Sequence, residues 1–304
     1  MPNQSNFSTS LAYVEESTPG TTPASPTMIL LPTTDPLALQ RGRETFNTDQ
    51  VFSHRAQTAL REGRKSIGGN IPIELQYKAF DDMLEALLGG TWPGTAPFDL
   101  KLGNNVKTFS IERSYPDINQ YTVFTGATPS ELSLDVNPDG IVTGSFSYVG
   151  MGWNNMGTTQ LASSPTDNTN TPFDGLCNMT LSEGGSSLGI GTSLSLSISN
   201  GMATTGVIGS CDSSEPAAGD FAVTGTITAR LQDSSLVSKF EGNTDTSLEM
   251  VFTDPDGNTQ TWTLHRLRYT NANPQENDNA VDISMDFTAL YDETESTPIT
   301  ISHS

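Results

Sequence analysis

The stretch from Ser66 to Trp92, SIGGNIPIELQYKAFDDMLEALLGGTW, constrains the fold most, because it sets a strand directly before the strongest helical pattern in the chain. Ile67, Gly69, Ile71, Ile73 and Leu75 alternate with Gly68, Asn70, Pro72, Glu74 and Gln76, the period of a strand with one face in a core. Pro72 has no N–H to give to a ladder, which predicts an edge strand or a bulge. From Phe80 the period changes: Phe80, Met83, Leu84, Leu87 and Leu88 form one apolar stripe, predicting a helix over about 80–88. Asp81 and Asp82 stand at its positive end, and Gly89-Gly90 supplies a left-handed stop. A helix this short must pack against a sheet to persist. The acidic pair has no evident third ligand for a metal.

Almost everything else reads as β. Val106–Tyr115 and Asn119–Ala127 form a hairpin by composition, and Glu131–Val136 pairs with Ile141–Val149 around Asn137-Pro138-Asp139-Gly140. Ser247–Thr253, Thr259–Tyr269 and Ala280–Asp292 close the chain as three strands, with a loop over 271–278. A second short helix is expected at Asp233–Phe240. Residues 1–40 read as an extended arm with a short strand near Met28–Leu31, and 152–172 and 182–190 as surface loops. IGGNIPIEL, VTGSFSYVG and VTGTITARL share a glycine followed by alternating apolar positions, which suggests a pseudo-duplicated β unit. The expected class is mainly β, with one flanking helix.

Against 14 Lys plus Arg stand 35 Asp plus Glu, a formal charge of -21, so the surface as a whole repels nucleic acid and anionic membranes. The distribution is uneven. Arg41, Arg43, Arg55, Arg61, Arg64, Lys65 and Lys78 cluster near one segment, and no basic residue lies between Ser114 and Ala229. Two readings stay open, intramolecular pairing and head-to-tail steering of identical subunits. Residues 41–65 are polar and basic with scattered apolar positions, the pattern of a long excursion from the core. The N-terminal residues lack a signal-peptide pattern, and no apolar run approaches the length of a membrane span. Cys177 and Cys211 do not make a disulfide framework, so synthesis in the cytosol is the simplest expectation; whether they pair is left open.

Catalytic patterns are weak. Gly185-Ser186-Ser187-Leu188-Gly189 matches G-x-S-x-G but sits in a Ser/Gly-rich turn without the strand-turn-helix setting of a nucleophile elbow. His54, His265 and His303 have no spacing that places two on one face. Asp254-Pro255-Asp256-Gly257-Asn258 has its glycine misplaced for a calcium loop and reads as a hairpin turn. No phosphate-binding glycine loop or paired-cysteine zinc spacing occurs. We therefore expect no enzyme activity, no cofactor and no metal.

The succession of SIGGNIPIELQYKAFDDMLEALLGGTW, SELSLDVNPDGIVTGSFSYVGMG, SLSLSISNGM, FAVTGTITARLQDSSLVSKF, SLEMVFTDPDGNTQTWTLHRLRY and DISMDFTALYD resembles the major tail tube proteins of long-tailed bacteriophages. The similarity runs from about Phe46 to Ile301 and lies in the order of segments rather than in one motif. It implies a single tail-tube domain over 1–304, a β-sandwich or barrel-like fold flanked by the 80–88 helix. It further implies hexameric rings stacked into a hollow tube, with a tape-measure protein and tail-tip or terminator proteins as partners. DNA would pass through without specific binding, no membrane would be entered, and assembly in the host bacterial cytoplasm would yield the virion tail. On that basis the 41–65 excursion becomes an inter-subunit arm, with Arg55, Arg61, Arg64 and Lys65 as contact candidates. The alternative is a β-sandwich binding module, carbohydrate-binding or adhesin-like, using Trp92, Trp153 and Trp262 as stacking platforms. A hydrolase working through Asp/Glu pairs lacks any coherent site.

Overall fold

The computed structural model describes residues 3–50, 56–232, 234–277 and 280–304. In chain order the strands are β1 (Ser10–Glu15), β2 (Ile29–Leu30), β3 (Gln40–Asn47), β4 (Leu60–Glu74), β5 (Phe98–Lys101), β6 (Phe109–Tyr115), β7 (Gln120–Val136), β8 (Thr143–Gly150) and β9 (Gly152–Trp153). They continue as β10 (Met179–Glu183), β11 (Ser186–Ser187), β12 (Gly191–Ser199), β13 (Ala222–Arg230), β14 (Thr246–Thr253), β15 (Thr259–Tyr269), β16 (Asn273–Asn277), β17 (Ala280–Ala289) and β18 (Ile299–His303). The helices are α1 (Asp81–Leu88) and α2 (Ser235–Glu241).

The strands pair antiparallel and form two layers joined by β7. The smaller layer runs β2–β1–β6–β7–β9. In the larger, β3–β4–β8–β7–β12–β13–β17–β15–β14–β10 are successive neighbours, and β18 joins β15 to β5. What the sequence suggests as two separate strands, 119–127 and 131–136, is one long strand that bends between them. The bend follows Gly126, whose φ of 63° suits glycine, and register slips at Pro129/Glu131 let the second half join the other layer.

One core runs through both layers, with Leu11, Phe109 and Phe124 from one and Ile71, Phe146 and Trp262 from the other. Helix α1 plugs the place where they meet. Its expected stripe is buried throughout: Phe80, Met83, Leu84, Leu87 and Leu88 are each 1% exposed or less. Phe80 stands at the N-cap and packs on Phe146, ring centroids 5.8 Å apart, while Tyr148 from β8 donates to Met83 Sδ. Gly89 ends the helix at φ 66°. Pro72 behaves as its missing N–H requires: it pairs with Ser145 of β8 on one side, and its carbonyl accepts from Thr34 N–H and the Thr33 hydroxyl on the other. The glycine-led echoes fall on β4, β8 and β13; the first two are hydrogen-bonded neighbours.

Asp82 on α1 faces Tyr13, whose hydroxyl donates to it at 3.1 Å. Burial pushes the Asp82 carboxyl above the ordinary carboxylate range, although that hydrogen bond and Lys107 pull it down. A carboxylate raised in the folded state weakens the fold above its folded pKa, and the cost disappears below its unfolded value. Asp82→Asn is therefore expected to raise the unfolding midpoint near neutral pH. The gain should shrink as pH falls below the ordinary carboxylate range; thermal melts at both ends of that window check the sign.

Candidate assembly surface

The most prominent surface feature is the 40–66 arm. Strand β4 pairs with β8 only from Ile67 onward, so its first part, 60–66, runs past the end of the sandwich. There it pairs with β3, with a bulge between Arg43 and Thr45. At about 3.3 Å per residue the projecting part is roughly 20 Å long. Among the described strands β3 pairs with β4 alone, which leaves its outer edge open. Phe46 and Leu60 lie opposite Arg61 and Asn47, and are 57% and 63% exposed.

The arm is held in shape by its own charges. Arg43 pairs with Glu62, and Arg64 Nε reaches Glu44 Oε1 at 2.9 Å, both across the hairpin. At the base, Lys65 Nζ reaches Asp212 Oδ1 at 3.3 Å and the Trp153 carbonyl at 3.2 Å. Arg41, Arg43 and Lys65 also crowd the Trp153 ring at 5.2, 5.7 and 5.2 Å. Pairs this exposed contribute little stability, and shape the hairpin more than they hold it. Arg61 is exposed with no ion-pair partner among the described residues. Arg55 lies outside the described residues. The arm thus brings Arg61, Arg64 and Lys65 onto one strand and commits the last two to intrachain partners.

The three tryptophans do not gather into a platform. Trp262 is fully buried in β15, Trp92 stacks on His303 at 4.2 Å, and Trp153 is capped by the arm's cations. Gly185–Gly189 follows the tight β10–β11 turn with Ser186 and Ser187 exposed, far from the geometry of a nucleophile elbow. In the β14–β15 turn, Asp254 Oδ1 accepts from the Asp256 and Asn258 N–H groups, and Gly257 takes φ 88°. Its carboxylate is spent on closing a hairpin. No cluster of three or more potential metal ligands occurs among the described residues. Cys177 and Cys211 are both exposed and unbonded.

The signal that sequence reasoning missed here is the cross-strand charge code. Arg43-Glu44 and Glu62-Arg64 alternate opposite signs in the register of a hairpin.

The family model described as phage tail tube protein matches residues 6–289, nearly the whole chain. No curated protein matches closely enough to add a relative. With a mainly β sandwich, a projecting two-stranded arm and a match of that extent, the chain belongs to the phage tail tube protein family, the structural proteins of the virion tail tube.

Proposed function

We propose that copies of this chain close into hexameric rings that stack into a hollow tube, through which the phage genome passes. The observation that carries this reading is the 40–66 arm, a pair of strands with one open edge among the described strands and exposed Phe46 and Leu60 beyond the body of the subunit. An isolated protein gains nothing from such an edge, which invites pairing with another chain. A neighbouring subunit or the next ring supplies both the edge partner and cover for the apolar residues. Arg61, and Arg64 if it exchanges Glu44 for an acid across the interface, are the contacts of this arm.

The net charge of -21 fits a conduit that DNA must slide through without sticking, since each exposed cation in the lumen would add phosphate affinity. A tape-measure protein inside and tail-tip or terminator proteins at the ends are the further partners of such a tube, assembled in the host cytoplasm. The binding-module alternative loses its basis with the dispersal of the tryptophans.

Reversing Arg61 and Arg64 to Glu is expected to abolish polymer while leaving the circular dichroism spectrum of the dispersed chain unchanged. Sedimentation and negative-stain microscopy over a concentration series read the effect. Tubes of normal length from the double variant would remove the arm from the interface.

A further inference from the structure

Trp153 is half-buried, and the base of the 40–66 arm is built around its indole. The residue is anchored in the smaller layer. It ends β9, which pairs with β7 at Phe124 and Thr125, and the N–H of the next residue, Asn154, donates to the Val123 carbonyl at 2.8 Å. The arm grows from the edge of the larger layer, so at Trp153 a side chain of one layer meets a hairpin of the other.

The register explains why cations lie over the ring. Arg41 and Arg43 share a face of β3 and stand opposite Ile67 and Lys65 of β4. Ile67, 5% exposed, is the outermost residue of that face to enter the core. Beyond it the face carries Arg41, Arg43 and Lys65, whose charged groups lie 5.2, 5.7 and 5.2 Å from the centre of the Trp153 ring. Two hydrogen bonds fix the arrangement: the indole Nε1–H donates to the Gly42 carbonyl at 3.3 Å, and Lys65 Nζ donates to the Trp153 carbonyl at 3.2 Å. Both strands of the arm are thereby tied to one residue. A second tie holds β4 alone, through the Lys65 N–H to the Cys211 carbonyl at 2.7 Å and the Ser213 hydroxyl to the Lys65 carbonyl at 2.8 Å.

We propose that Trp153 is the positioning residue of the arm: it sets the direction in which 40–66 leaves the sandwich and so presents the open β3 edge to the next copy at a fixed angle. The link to a second copy rests on the self-assembly reading above. Below Ile67 the arm has lost β8 as a neighbour, and a two-stranded ribbon is strongly twisted and marginal by itself, so its direction follows from what its base rests on. Charge makes the ring necessary. Glu62 pairs with Arg43 and Asp212 with Lys65, while Arg41 has no ion-pair partner among the described residues. Two carboxylates thus face three cations, and the negative face of the indole supplies the remaining attraction. An arm held this way loses little freedom on docking, which favours association.

The test reads the distance between arm and body in the dispersed full chain, by pulsed electron paramagnetic resonance between spin labels on Asn47→Cys and Asp139→Cys in a Cys177→Ser, Cys211→Ser background. Both label sites are exposed. Trp153→Leu keeps apolar bulk against the core but removes the aromatic face and the N–H donor. It should widen the distance distribution roughly twofold at about 0.01 M salt, where the cations repel across a Debye length of about 30 Å, and the width should shrink again at about 1 M, where that length is about 3 Å. A ring that only filled space would leave the width independent of salt. Trp153→Met carries the same expectation as a second variant, and Trp153→Phe, which keeps the aromatic face, should restore the narrow distribution. The concentration needed for half-assembly should rise roughly tenfold in Trp153→Leu and stay within about twofold of wild type in Trp153→Phe, with the urea midpoint of the dispersed chain little changed in either. An arm as narrow in Trp153→Leu as in wild type, or a broadening that salt does not alter, would overturn the positioning role. A broadened arm with unaltered polymerisation would cut its link to assembly. A wild-type chain with a fixed arm that never polymerises would count against the self-assembly reading instead.

Discussion

Glu16→Ala is expected to destabilise the fold by about 4 kcal/mol, because it removes the shared acceptor of four buried donors at once. Glu16 is 6% exposed, and its carboxylate is surrounded by donors rather than cations. Oε1 accepts from the Ser110 hydroxyl at 2.6 Å and Gly126 N–H at 3.0 Å, and Oε2 from the Thr108 hydroxyl at 2.8 Å and Gly20 N–H at 2.7 Å. These donors come from the turn after β1, from the start of β6 and its approach, and from the bend of β7. The residue therefore pins the place where the chain crosses between layers. Alanine removes all four acceptor contacts at once. Glu16→Gln keeps the shape but turns one oxygen into a donor facing donors, so its loss should be intermediate. Urea unfolding of the dispersed chain measures both. A shift under about 1 kcal/mol for the alanine variant would contradict this account, since that is the scale of ordinary substitutions away from such networks.

Phe80→Ala should cost a comparable amount, about 3–5 kcal/mol, by a different route. The ring is 1% exposed, packs on Phe146 and opens α1, so its removal leaves a cavity at the junction of helix and sheet. Met83 and Leu84 one turn on cannot fill the space without unwinding the helix from its cap. The midpoint of urea unfolding should fall with no change in slope. The contrast with the arm is diagnostic: Phe80→Ala and Glu16→Ala lower stability and lose assembly through it, whereas Arg61 and Arg64 reversals lose assembly with stability intact. Retained stability in Phe80→Ala would mean that α1 is not the keystone its burial indicates.

The parts of the fold that are legible in the sequence are those where burial imposes a period. The α1 face is one, since Phe80, Met83, Leu84, Leu87 and Leu88 must all point inward. Pro72 at an edge and Asp254 in a turn are others, because their backbone chemistry leaves few alternatives. The 40–66 arm is less legible as a hairpin. Neither face of its outer half is buried, so no alternation marks it, and only the paired charges carry the register. Residues 271–278 read as a loop, yet 273–277 form β16, an edge strand that tolerates Pro274 because, among the described residues, it pairs with β17 alone.

The 152–172 segment shows a further limit. Its Asn, Thr and Ser content suggests a free surface loop, but the Leu161 and Ala162 N–H groups donate to buried Glu112 of β6, at 2.7 and 3.0 Å, and Ala162 is buried. A backbone donor meeting a distant carboxylate leaves no mark in local composition.

The most direct test of the central claim is electron cryomicroscopy of polymer grown from the purified full chain. The account predicts a hollow tube of stacked hexameric rings, with the 40–66 arm bridging subunits. A solid fibre, or a chain that stays monomeric at every concentration, would contradict it.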